Sequence, residues 1–583
     1  MSRRSKKLFA LPELYCVLFL LVMVGLGMLC RVTVENVTLI KDGTQELVSM
    51  PITQRMGDGV YFQVDFDVSG KVAYDLKVIP DDCAESIVVN GNELSLNRVH
   101  GLCDFSKGFV LADSLLAPHR VGGRTHYSFY LKNNGGNAGL NVFVLQSSAL
   151  SAILNALSVL SLGLLCLLLA RRLNLGGGLA FLILVAVVFR AVFFANIPYT
   201  SYSNDVDGHV AYVQYILEKH AVPGVDDCWT CYHPPVYYTM ASPAFVIGEA
   251  LGFPGTTGLQ AFSLLLSILT LFFGIMFLKT FLTGGTLGVA SVLWAFWPLM
   301  ILMAPRIGND QMFCMLHVLC LWGGATYLKS GRGKYLVVSV VATALAMWTK
   351  TTAVVTVGTL FLFMLLGYVQ NAKTLKPTKS EWVAWGFFFA LVLGIVLQRL
   401  LGDADLVGNS SGLNGRLKVG NEAFNYIYFD LQSFMTHPYT SAWNDEMGRQ
   451  YFWNYSIKSA ITGEFELVRS PAGRAMATFA GASLLGLFAY AARGFWKTKL
   501  QAIHWILLLQ GAAFIAALMF LRIKHPYACS NDFRYIAPAV LSVIPFAALG
   551  VTLPETSTKW KVLGYSLILT FVASVAVLYI LAM

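Results

Sequence analysis

Thirteen apolar runs of near membrane-spanning length, separated by loops that hold most of the charge, limit this chain to a fold in lipid. They lie near 11–31, 150–170, 177–197, 258–281, 284–304, 310–328, 334–349, 352–370, 383–401, 471–492, 502–522, 535–553 and 561–582. About 20 apolar residues cross a bilayer as a helix. The expectation is therefore a polytopic α-helical membrane protein with about 13 transmembrane helices. Composition agrees, since 56% of the 583 residues are hydrophobic and 13% are charged, about half the charge of soluble chains. A soluble enzyme is excluded. The excess of 42 Lys and Arg over 32 Asp and Glu does not call for nucleic acid, because cytoplasmic loops of membrane proteins collect basic residues.

Loop charge orders the runs. Met1 to Lys7 carries four basic residues and no acid, and no small-residue cleavage site follows, so 1–31 reads as an uncleaved anchor with its N-terminus inside. Strict alternation then puts Arg171–Arg172, Lys279, Lys329 to Lys334, Lys373 to Lys379, Arg493 to Lys499, and Lys559 with Lys561 on the cytoplasmic side. Splitting 334–349 from 352–370 keeps that pattern and sets Lys350 at the outer surface. Residues 32–149 become an outer domain inserted after the first helix, and 150–583 a transmembrane domain with outer loops 198–257 and 402–470.

Segment 32–149 reads as a β-sandwich. Phe62, Val64, Phe66 and Val68 alternate with polar neighbours, as do Tyr127, Phe129 and Leu131, and Asn90-Gly91 marks a tight hairpin. In texture it resembles carbohydrate-binding jelly-roll modules; a cap without a ligand is the alternative. Cys16, Cys30, Cys166, Cys314 and Cys320 lie in or beside apolar helices as small buried residues. Cys83 with Cys103, and Cys228 with Cys231, lie outside, where disulfides persist. Zinc on Cys228, Cys231 and His233 is the competing reading, but it lacks an evident fourth ligand. Cys529 has no evident partner.

The chemistry concentrates after the third run. In Ser203-Asn204-Asp205-Val206-Asp207-Gly208-His209, two carboxylates precede a helix whose positions 209, 212, 213, 216 and 217 share one face, an amphipathic helix lying at the interface. Ser203, Asn204 or Asp205 caps that helix in the plain reading. Two carboxylates with His209 also form a group able to deprotonate an acceptor or hold a divalent cation, Mg or Mn. Next, His233-Pro234-Pro235-Val236-Tyr237-Tyr238 opens a short helix, 236–251, that does not cross the membrane.

Asp205 with His209 and Tyr212, then HPPVYY, then Asn309-Asp310, resembles the GT-C superfamily of integral-membrane glycosyltransferases. The closer resemblance is to the branch of protein O-mannosyltransferases and lipid A aminoarabinose transferases. Val206 stands where the family's acidic pair has Glu, and Asp207 comes one residue later. The resemblance covers 177 to about 553 and implies that Asp205 is the base and Asp207 a second carboxylate. It further implies that Asn309 and Asp310 face the cavity, and that Lys350 and Arg534-Tyr535 meet a lipid phosphate. Arg306 is predicted at the same level, while His209, Tyr212, His233 and Tyr237 are candidates for acceptor or sugar contact. A metal would sit on Asp205 and Asp310. Arg190, deep in the third run, is a functional candidate by depth alone.

The implied reaction moves a sugar, with inversion, from a polyprenyl-phosphate donor to a hydroxyl on a protein, lipid or glycan acceptor outside the membrane. The implied location is a bacterial inner membrane with the site facing the periplasm; the alternative is the endoplasmic reticulum, lumenal side. A polysaccharide polymerase or O-antigen ligase is the alternative enzyme. A secondary transporter is the alternative from another class, but it should show repeated halves and mid-membrane charges, whereas these carboxylates gather in outer loops.

Overall fold

The alternating run Phe62 to Val68 forms the central strand of a two-sheet sandwich in this computed structural model. The structure describes residues 11–371, 379–401 and 415–583, apart from positions 30, 31, 49, 51, 71, 72, 98, 106, 121, 135, 136, 147, 148 and 226. The basic stretch before Leu11, Cys30, most of the loop at Lys373 to Lys379 and the sequence Asn409-Ser410-Ser411 lie outside the described residues. The chain divides into two units, 1–169 and 170–583.

The first unit holds helix Leu11–Leu29 and ten strands: β1 (Thr33–Lys41), β2 (Thr44–Leu47), β3 (Ile52–Arg55), β4 (Tyr61–Ser69), β5 (Tyr74–Pro80), β6 (Cys83–Val89), β7 (Asn92–Glu93), β8 (Phe109–Leu111), β9 (Arg124–Lys132) and β10 (Asn137–Gln146). One antiparallel sheet runs β2-β1-β4-β9-β6-β7 and the other β3-β10-β5-β8. Val64 pairs with Phe129 and Phe66 with Tyr127. These four are fully buried beside Leu76, Val78 and Leu140 of the second sheet, each large side chain contributing about 1.5–3 kcal/mol. At the β6–β7 turn both Asn90 (φ 47°) and Gly91 (φ 79°) are left-handed, the conformation a two-residue hairpin of this kind needs. Cys83 and Cys103 are disulfide-bonded.

Of the thirteen expected spans, eight are helices long and apolar enough to cross a membrane, or nine if one bent pair counts as a span, among the described residues. Runs 11–31 and 383–401 also form helices, Leu11–Leu29 and Lys379–Leu401, while three other runs depart from a single span for local reasons. Segment 284–304 is not one helix: Gly284–Ala295 ends before Pro298 opens a short turn, Pro298–Leu302, because a residue preceding proline disfavours helical backbone. Segment 535–553 is a 3₁₀ stretch, Phe533–Ser542, holding Pro538, followed by helix Ile544–Thr552 after a 42° bend. Gly333–Met347 has only 15 residues, and the chain then breaks at Lys350, whose backbone is extended.

Several of the basic loops meet at one end of the second unit. Lys279 Nζ donates to the Asn174 carbonyl, and Lys329 Nζ donates to Thr280 O at 2.8 Å. Arg493 Nη1 donates to Gly550 O and Thr556 Oγ1, both at 2.7 Å. The helix starts at Val206 and Asn309, the break at Lys350 and the 3₁₀ start at Phe533 meet elsewhere, and they carry the candidate site.

Candidate active site

Asp205 occupies the N-cap position of helix Val206–Lys219, but its side chain caps nothing. Its backbone is left-handed (φ 55°, ψ 24°), a region in which Asp is enriched over most residues. Oδ1 instead accepts from Trp229 Nε1 at 2.9 Å. Trp229 stands between Cys228 and Cys231, which are disulfide-bonded, so the zinc reading of that pair does not hold. The next loop packs tightly here: a Cβ on Gly208 would meet Thr230 Cγ2 at 2.6 Å.

Three distant segments close on Asp205. Asp310 lies in the first turn of helix Asn309–Ser330, where the helix dipole favours a carboxylate. Its Oδ1 accepts from Lys350 Nζ, and Asn309 Nδ2 ties the two segments by donating to Thr349 O at 3.2 Å. Arg534 reaches all the acids: Nε is 3.0 Å from Asp532 Oδ2, Nη1 3.7 Å from Asp310 Oδ2 and Nη2 3.9 Å from Asp205 Oδ2. The Tyr535 ring lies 4.7 Å from Lys350 Nζ and 4.8 Å from the Arg534 guanidinium carbon. A small cleft opens among Asn204, His209, Arg306, Gly308, Asp310 and Arg534.

Access separates the carboxylates. The Asp205 side chain is 40% exposed, against 14% for Asp310 and 0% for Asp532. Asp205 is therefore the carboxylate of this group most open to solvent. His209 Nδ1 lies 2.8 Å from Tyr238 Oη, and burial pulls its imidazole down to about 4 against the opposing pull of Asp205 and Asp310. Burial likewise holds His233 well below the usual imidazole range. Both rings are neutral at physiological pH and add no cation to the cleft.

The remaining sequence candidates brace this arrangement. Tyr212 stacks on Tyr238 with centroids 3.7 Å apart and donates to His233 O. Tyr237 Oη accepts from Gly308 N at 3.0 Å and so fixes the turn before Asp310. Arg306 is buried over the Phe465 ring. Asp207 is exposed on the first turn of its helix and makes no ion pair with the cluster among the described residues. Arg190 stays outside the cluster, where Ser267 Oγ and Ala186 O accept from it.

Three members of the site had no role assigned from sequence. Trp229 carried no signal beyond its place between two cysteines. Asp532 and Glu464 are ordinary loop acids in the sequence until the fold sets them beside Arg534 and Asn204. Tyr455 Oη donates to Glu464 Oε1 at 2.6 Å, and one atom of the Asn204 carboxamide lies 3.3 Å from both Glu464 Oε2 and Arg534 Nη2. Burial, then the neighbouring Asp532, pushes the Glu464 carboxyl up to about 7. With its oxygen in that place, the Asn204 carboxamide accepts from Arg534 Nη2 and donates to Ser203 O at 3.2 Å.

The two carboxylates expected to take Mg or Mn face cations of the chain itself: Asp205 and Asp310 both face Arg534, and Asp310 is also bound to Lys350. No group of three potential His, Cys, Asp or Glu ligands occurs among the described residues.

Residues 232–397 match the family described as dolichyl-phosphate-mannose-protein mannosyltransferase. That segment runs from HPPVYY through Asn309-Asp310 and Lys350 and bears out the GT-C resemblance there; Asp205, His209, Tyr212 and Arg534-Tyr535 lie outside the matched segment. Among solved structures, the oligosaccharyltransferase of Archaeoglobus fulgidus is similar at 12% identity and TM-score 0.39, over 69% of this chain and 55% of its own. Arabinofuranosyltransferase AftD from Mycobacteria is similar at 14% identity and TM-score 0.36, over 68% of this chain and 27% of its own. Arabinosyltransferase EmbB from Mycobacterium smegmatis is similar at 12% identity and TM-score 0.29, over 94% and 65%. The chain thus spans about half the length of the archaeal enzyme. No curated protein matches the sequence.

Proposed function

We propose that this multi-pass membrane protein of the GT-C glycosyltransferase type moves a sugar from a polyprenyl-phosphate donor to an acceptor hydroxyl at the outer face of the membrane, with inversion. One observation carries the reading: Asp205, Asp310, Lys350 and Arg534, spread over more than half of the chain, gather in one charged cluster, and Asp310 and Arg534 of that cluster line a cleft with Asn204, His209 and Arg306. The acceptor hydroxyl gives its proton to Asp205 as its oxygen attacks the anomeric carbon. The bond from that carbon to the phosphate oxygen breaks, and the electron pair leaves on the phosphate. Arg534, Lys350 and Arg306 meet the charge that grows there, the kind of preorganised stabilisation worth the most in a site shielded from water. Asp310 and Asp532 hold the cations in place. No covalent intermediate is needed and no step runs through a metal.

Sidedness follows from charge. The loops rich in Lys and Arg belong inside, so the cluster belongs outside, as in a bacterial inner membrane with a periplasmic site or in the endoplasmic reticulum with a lumenal one. The β domain 32–149 would lie on the same outer side. The acceptor is a glycan, lipid or protein hydroxyl.

The test supplies the protein in nanodiscs with a labelled monosaccharide on polyprenyl phosphate. The expected result is release of polyprenyl phosphate and a product of opposite anomeric configuration. Retained configuration overturns the single displacement. Transfer only from an oligosaccharide carrier favours the polymerase or ligase, and uptake of free sugar into proteoliposomes without lipid donor favours the transporter.

A further inference from the structure

Outer loop 402–470 holds a surface that the transfer reaction does not use. Two short helices, Ala423–Ile427 and Leu431–Thr436, expose Phe424, Ile427, Tyr428, Leu431 and Met435. No Lys or Arg lies between Asn421 and His437.

This segment is clamped to helix Phe452–Thr462. Trp453 Nε1 donates to Tyr426 O at 2.8 Å. Asn454 takes both polar groups of the Asp430 backbone, at 2.9 and 2.8 Å, and is itself fully buried. Its sequon, Asn454-Tyr455-Ser456, is therefore closed to glycosylation. Lys458 Nζ donates to Ser433 O and Met447 O. The exposed side chains are thus held outward by a rigid support rather than left on a loose loop.

Depth identifies what covers them. Thr478 Oγ1 donates to Met435 O at 3.4 Å, and Phe434 packs 3.0 Å from where a Gly481 Cβ would stand. Both residues belong to the spanning helix Pro471–Lys497. At 1.5 Å per residue, Thr478 and Gly481 lie roughly 10 and 15 Å from Pro471. The helix has 27 residues, about 40 Å, which exceeds a hydrocarbon core of about 30 Å by roughly 10 Å. Even if the whole excess projects at this end, Thr478 sits at the hydrocarbon boundary and Gly481 inside it. Phe479, between them on the same spanning helix, is an apolar side chain 52% exposed.

We infer that residues 423–436 form an in-plane element seated in the lipid leaflet beside helix Pro471–Lys497, with Phe424, Ile427, Tyr428, Leu431 and Met435 facing the acyl chains. Helix Phe452–Thr462 links this element to the charged cluster. Its Ser456 Oγ donates to Asn531 O at 3.0 Å, and its Ser459 Oγ accepts from Phe533 N at 2.9 Å, next to Arg534. The leaflet thereby sets the height of the loop that carries Arg534.

The test uses the full chain in phosphatidylcholine–phosphatidylglycerol nanodiscs, with a nitroxide attached through a ketone-bearing amino acid at Ile427 or Leu431. Power-saturation spectroscopy is expected to show several-fold greater collision with oxygen than with a water-soluble nickel chelate, as at Phe479, and the reverse at Glu422. Greater collision with the nickel chelate at Ile427 and Leu431 overturns the inference, and so does low collision with both, which marks cover by protein. A second measurement needs no substitution. Photolysis of vesicles containing a diazirine-tailed phospholipid is expected to label the peptide 423–436 of the unmodified protein. Adducts on Pro471–Lys497 without adducts on 423–436 also overturn the inference.

Discussion

The β-sandwich and the charged cluster treat ion pairs in opposite ways. In the sandwich, β4 and β9 turn apolar side chains inward, and Asp67 meets Arg124 at 2.6 Å and His126 at 3.0 Å, with those two side chains 55% and 49% exposed. In the helical unit, Lys350, Asp310, Arg534 and Asp532 are almost shut off from water. An exposed pair contributes about 0–1 kcal/mol, whereas burying each ion costs several kcal/mol before its partner repays it. Stability alone would have put such charges on the surface. The difference teaches that the helical unit keeps buried charges against their desolvation cost, as a reactive site would, while the sandwich keeps its charges at the surface.

The largest effect tests that contrast at the base. Asp205→Asn keeps a side chain that tolerates left-handed backbone and should lower transfer by about 10²–10⁴-fold, with thermal stability in detergent unchanged; an active Asn variant refutes the base assignment. Arg534→Ala should cut transfer and also lower stability by about 3–5 kcal/mol, the usual cost of stranding a buried partner. Arg534→Lys should recover more stability than rate, since one ammonium cannot face Asp205, Asp310 and Asp532 together. If Arg534→Ala unfolds at the temperature of the parent, the buried pairs carry no structural weight.

Glu464 gives a smaller, pH-dependent effect. Its carboxyl is raised in the folded protein to about 7, so the stability this group contributes is full below its unfolded value and lost as pH rises through about 7. Ionisation there also adds a negative charge beside the cations that should meet phosphate. Transfer is expected to fall several-fold above pH 7, and Glu464→Gln should flatten that fall; an unchanged pH profile rejects the role. At the low end, Arg124→Ala in the sandwich should cost no more than about 1 kcal/mol, measured by thermal unfolding. Chelation with EDTA should change transfer less than about twofold if lysine and arginine already neutralise the carboxylates; loss restored by Mn would move Asp205 and Asp310 into a metal site.

Much of the fold was legible because each element announces its own solvent. The alternation at Phe62 to Val68 and the Asn90-Gly91 turn specify strands and a hairpin by local rules, and both stand in the structure. The helical face at His209, Tyr212 and Val213 is likewise buried as the period requires. Helix counting was less secure where proline intervened: Pro298 and Pro538 break runs that hydropathy alone joins. Within the site, Asp205 stood out as one of two carboxylates before an amphipathic helix, and Asp310, Lys350 and Arg534 through the resemblance to the GT-C superfamily. Trp229 and Glu464 did not, since an aromatic between cysteines and an acid in a loop are ordinary until the fold sets them beside Asp205 and Asn204.

The order of apolar runs and the sorting of basic loops thus prescribe a membrane protein and the end at which its chemistry gathers, because transfer of a side chain between water and lipid depends on the residue itself. Which carboxylate stays open and which are locked to cations was decided only by tertiary structure. Coulomb energy and desolvation depend on distance and burial, and Arg534 acquires its partners at Asp205 and Asp310 only when segments more than 200 residues apart in the sequence are brought within 4 Å.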